Sequence, residues 1–164
     1  MKYIQARGIE EDEWYYFEID EKGTAYRQIV VTGENSCQIS TAPDFMLSDQ
    51  EVTMYDGDVE IDAEAFERIW RQATEPNRAP WKITKQQYAP GNRVSGAIAM
   101  FYPQGIIIRI NEQTYAVTDD EELRKRTPWN FLYPDYRIEG TVTGYDEKNF
   151  WLVLEDCVIS GEKI

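Results

Sequence analysis

The chain has 164 residues, room for one large domain or two small ones, and its 11 tyrosines and 5 tryptophans can fill small cores. It contains no histidine, which removes the commonest general base, the commonest metal ligand and every Ser-His or Cys-His pair. The formal charge of −13 is uneven: residues 1–80 carry 18 acids against 7 bases and residues 81–164 carry 12 against 10, so only the second half suits a phosphate-bearing partner.

In chain order, Lys2–Arg7 predicts an opening strand. Trp14–Ile19 (WYYFEI) and Thr24–Val31 (TAYRQIVV) are aromatic and β-branched and flank Asp20–Gly23, a hairpin signal. Thr32–Asn35 reads as a second turn into Ser36–Thr41, and Pro43 breaks the meander. From Asp62 the period changes. Phe66, Ile69, Trp70 and Ala73 fall on one face of a helix whose N-cap is Asp62. The segment Asp56–Glu67 places acids as a calcium loop would, but Ile61 stands where that loop needs glycine. Val59 and Ile61 alternate instead, so an acidic strand followed by a capped helix is expected. Thr74–Trp81 (TEPNRAPW), with two prolines, reads as the junction between a domain of residues 1–76 and one of residues 77–164.

The second half gives five strand-like runs: Arg93–Phe101, Gly105–Asn111, Gln113–Thr118, Tyr136–Tyr145 and Phe150–Ile159. Short turns join them, except that a charged helix, Asp119–Arg126, links the third to the fourth. Its acids lead and its bases trail, with Asp120/Arg124, Glu121/Lys125 and Glu122/Arg126 as i, i+4 pairs. The last hairpin turns at Asp146–Asn149. Five strands in this order are the plan of a small OB-type barrel, a fold that binds oligonucleotides and other extended ligands. The expected architecture is therefore an α+β domain (antiparallel sheet plus one helix) followed by an all-β five-stranded OB-like barrel.

Bases stack on exposed aromatic rings for about 1–3 kcal/mol each. Tyr102, Trp129 and Tyr133 sit in loops beside prolines and are the expected stacking residues; Arg109, Arg137 and Lys148 are the expected phosphate contacts. Against this, half the rings in alternating strands must serve the core. Arg124–Arg126 is the single basic run and reads first as the last turn of a salt-bridged helix. Cys37 and Cys157 lack metal-ligand spacing and read as strand or core residues. No nucleophile motif, cofactor motif or metal site is apparent, so a binding protein is expected rather than an enzyme. No apolar run is long enough to cross a membrane, and Met1–Arg7 lacks an apolar signal core, so the expected location is the cytoplasm.

The second half resembles the RNA-binding OB domain repeated in ribosomal protein S-one. Gly91-Asn92-Arg93-Val94-Ser95-Gly96-Ala97-Ile98 matches its opening strand, Pro103–Ile110 the second, Tyr136–Asp146 the fourth and Phe150–Leu154 the fifth. The resemblance implies a barrel that binds single-stranded RNA. It departs where that family carries its stacking platform: Gln104 and Ile107 replace two phenylalanines, and Thr118 stands for a histidine. The first half is similar to short bacterial domains with Glu-x-Asp, Arg and Glu-x-x-Trp signatures, here Glu18-Ile19-Asp20, Arg27 and Glu67-Arg68-Ile69-Trp70. Some of those look like immunity proteins. The excess of acids in residues 1–80 and the missing platform, with that likeness, point to the alternative function, an acidic adaptor or immunity-type protein with a basic protein partner and no nucleic acid.

Overall fold

The computed structural model describes residues 1–34 and 36–164; Asn35, the end of the expected second turn, lies outside them. The chain divides into two compact units, Met1–Asn77 and Arg78–Ile164.

The first unit is an antiparallel sheet of β1 (Lys2–Arg7), β2 (Glu13–Ile19), β3 (Ala25–Thr32), β4 (Ser36–Ile39) and β5 (Val59–Ile61), in the order β4-β3-β2-β1-β5. The strands alternate as a sheet buried on both faces demands. Tyr3, Tyr16, Ile29 and Val31 face α1 (Ala63–Ala73), which contributes Phe66 and Trp70. Ile4, Phe17 and Ile19 point the other way and meet Leu47 and Val52. These come from the long connection between β4 and β5. Hydrogen bonds from two of its backbone N–H groups pin it: Ser48 N–H to the Gln28 side-chain Oε1 (2.7 Å) and Val52 N–H to the Gly23 carbonyl (2.8 Å). Asp62 caps α1 by accepting from the Ala65 N–H at 2.7 Å, as its position predicts. The segment weighed as a calcium loop is a turn, β5 and the start of α1.

Thr74–Trp81 is not an irregular junction. Residues Glu75–Asn77 form a 3-10 turn and α2 follows at once (Arg78–Gln87). Its prolines do not break it because Pro80 sits in the first turn, where a backbone N–H has no intrahelical partner to lose. The described residues therefore hold three α-helices rather than the two expected, and the second unit is not all-β.

In that unit β6 (Arg93–Tyr102), β7 (Gly105–Asn111), β8 (Thr114–Thr118), β9 (Tyr136–Asp146) and β10 (Trp151–Lys163) close into a barrel in the order β10-β8-β7-β6-β9. All pairings are antiparallel except β8 with β10, a parallel seam of Leu152 opposite Ala116 and Val153 opposite Val117. This is an OB-like five-stranded barrel. Ile98, Ile106, Ile108, Ala116, Ile138, Val142, Leu152 and Leu154 fill it. Gly96 and Gly105 permit its tightest approaches: a Cβ on either would collide with the carbonyl oxygen of Arg109 or Thr118. Trp81 of α2 joins the core edge-on to Tyr145 (5.7 Å) and Phe150 (6.1 Å), and Leu123 of α3 (Glu121–Arg126) joins it too.

Candidate nucleic-acid interface

The barrel register decides which expected contacts can act together. Residues opposite one another across a ladder share a face. Arg109 on β7 and Arg137 on β9 both lie opposite Ala97 on β6, so they flank it in one row, on the side away from the Ile98/Ile108/Ile138 core. Strand spacing sets their Cα atoms about 10 Å apart. Arg109 is exposed and, among the described residues, has no ion-pair partner. Arg137 meets Glu162 at 3.3 Å, with side-chain exposures of 41% and 62%. Ion pairs this exposed contribute only about 0–1 kcal/mol, so a phosphate can compete for that guanidinium.

Trp129 and Tyr133, the two most exposed aromatics of this unit, lie on the segment that leads into β9 and is tied next to this row at Asp135. Trp129 begins a 3-10 turn (Trp129–Phe131), and Tyr133 follows two residues after its end. Phe131 packs on Tyr136 with centroids 5.7 Å apart. The Asp135 N–H bonds to the Ile98 carbonyl at 2.9 Å, one residue from the centre of the arginine row. Trp129 remains 76% exposed and Tyr133 50%. A prolyl start at Pro128 and a 3-10 turn that half-buries only its third residue, Phe131, leave the Trp129 ring in solvent.

Other expected residues are elsewhere. Tyr102 ends β6 rather than sitting in a loop. It is half-buried against Trp151, at 6.0 Å between centroids, and desolvation pushes its phenol pKa well above the usual range. Lys148 lies in the β9–β10 turn, where Asp146 accepts backbone N–H groups from Lys148 and Asn149. That turn is at the opposite end of β9 from Arg137. Ile107 is fully buried. Thr118 is also buried and donates its hydroxyl to the Leu154 carbonyl at 3.0 Å.

Two features escaped the sequence reading. In α3 the Asp120–Arg124 pair forms, but Lys125 pairs with Glu122 and Arg126 leaves its helix to bond the Cys157 carbonyl at 2.7 Å. Behind Arg126 lies an open cleft of about 420 Å³ lined by Leu123, Pro128, Cys157 and Ile159 among others. Nothing in local spacing foretells it, because it depends on β10 bulging between Glu155 and Val158. Burial raises the Cys157 thiol pKa, which suits a packing residue more than a reactive one.

Among the described residues no three acidic or cysteine side chains gather into a metal-binding group, and no helix is long and apolar enough to cross a membrane. No protein-family model and no curated protein matches the chain.

Proposed function

We propose that the second unit binds single-stranded RNA on the surface made by Trp129, Tyr133, Arg137 and Arg109. The observation that carries this is that two exposed rings lie on the segment whose last residue, Asp135, is tied next to a pair of arginines sharing one face of an OB-like barrel. Rings stack bases of any sequence while the guanidiniums track the backbone. The likeness of Gly91–Ile159 to the S-one type of RNA-binding domain points the same way. The ligand would be read from this turn, since Gln104, Ile107 and Thr118 do not supply the platform of that family. Tyr102 and Lys148 are not part of the proposed contact.

Anisotropy of a labelled single-stranded RNA titrated with the full chain tests it. Replacing Trp129 and Tyr133 with alanine should weaken binding about tenfold or more, the loss of one to two stacked bases. Unchanged affinity in that variant, or no binding by the parent chain at low salt, would overturn the reading.

A further inference from the structure

We propose that the hairpin end of the first sheet docks a basic protein segment that carries apolar side chains. Three connections meet there. β1 runs towards the turn Gly8–Asp12. β3 ends there too, with Thr32 opposite Glu13. β5 runs antiparallel to β1, with Val59 opposite Gln5, so the residues before it arrive from the same end. This brings Ile9, Met54, Tyr55 and Val59 to one end of the sheet at 98, 43, 74 and 53% exposure. Large apolar side chains so fully presented together mark an interaction site more often than a solvated surface.

Charge names the occupant. Glu10, Glu11, Asp12, Glu34 and Asp56 lie on the connections at the same end, all exposed, and among the described residues none has an ion-pair partner. Arg7 is the one base on the three connections and their flanking strand ends, and its guanidinium lies 5.0 Å over the Trp14 ring. An apolar centre with a charged rim is the common anatomy of a protein interface. Here the rim repels nucleic acid, an anionic membrane and a second copy of the same end, and attracts a cationic chain. The β1–β2 turn is held by the Gly8 N–H to Glu13 carbonyl bond (2.8 Å) and the turn before β5 by Asp58 accepting the Tyr55 N–H (2.8 Å), so little ordering is needed on binding. This surface is independent of the RNA reading.

Two synthetic peptides of equal length and charge test the proposal, one alternating arginine with leucine and the other arginine with serine. Each is titrated into the isotope-labelled full chain. The leucine peptide should bind about tenfold tighter. Amide shifts should centre on Ile9, Met54, Tyr55 and Val59. The double variant Ile9→Ser, Tyr55→Ser should erase the difference, and because both side chains are exposed the fold should be kept. Equal affinities would overturn the proposal in favour of diffuse attraction. So would shifts centred elsewhere, or sedimentation showing that the surface pairs with a second copy.

Discussion

Arg27 shows how much one side chain can decide. It is 1% exposed, forks onto Glu18 of β2 with bonds of 3.0 and 2.8 Å, and also reaches Glu67 of α1. Its guanidinium lies 4.9 Å from the Phe66 ring centre and 5.1 Å from that of Trp70. Burial alone would lower its pKa, but the hydrogen bonds and charges of Glu18 and Glu67 outweigh burial and raise it. The signature residues Glu18, Arg27, Glu67 and Trp70 were legible one by one in the sequence. That they form one cluster was not, because it depends on β2–β3 register and on the helix crossing above them. Removing one partner from a buried ion cluster leaves the other charges uncompensated. Arg27→Met should therefore cost about 3–5 kcal/mol, and replacing all three charges by apolar residues should recover most of it. Urea unfolding followed by tryptophan fluorescence would measure both.

Helix α2 carries the same lesson at the scale of an element. Proline count suggested a break, yet Pro80 falls where a helix tolerates it, and Trp81 then enters the barrel core. Trp81→Ala should destabilise the second unit by about 3–5 kcal/mol, measurable by thermal or urea melts. The helix is also tied to the last hairpin: Glu147 accepts from the Trp81 Nε1–H at 2.7 Å and from Lys85 Nζ at 2.9 Å. The Lys85 hydrogen bond is the main cause that lowers the Glu147 carboxyl pKa, aided by the Trp81 bond and opposed by partial burial. A depressed carboxyl stabilises the fold above its unfolded pKa and loses that contribution as pH falls through the folded value. Melts across the acid range should thus show a shallower decline for Glu147→Gln. The effect will be small, since this side chain is 59% exposed. The succession of strands along the chain and the capped α1 were readable from period and caps. The aromatic turn was readable only as a loop, because its place beside Ala97 rests on the long-range bond from Asp135 to Ile98.

Across the whole molecule, a charge of −13 sets the terms for any nucleic-acid contact. The proposed site offers two arginines, and single strands release roughly 0.7 counterion per phosphate neutralised. Log affinity should fall with log salt at a slope near −1.4, with Arg109→Gln reducing the slope by about 0.7. A much steeper slope in the anisotropy titration would mean that basic groups beyond these two take part. The uneven charge was plain from composition. The use made of it was not, since placing Arg109 and Arg137 in one row takes the register of three strands.

The parallel seam between β8 and β10 holds the barrel shut through two residue pairs, buttoned by the Thr118 hydroxyl on the Leu154 carbonyl 36 residues along the chain. The neighbouring ladders are longer hairpins whose ends lie near in sequence and can zip early. The seam must await the loop closure around α3, and it has the fewest bonds to lose. Native-state hydrogen exchange should therefore find this line opening before the β6–β7 hairpin does. Thr118→Val, which keeps the shape but removes the latch, should speed exchange at Ala116, Val117, Leu152 and Val153 first. An OB-like barrel built this way behaves as a curled sheet with a clasp, and its breathing is set by one buried hydroxyl.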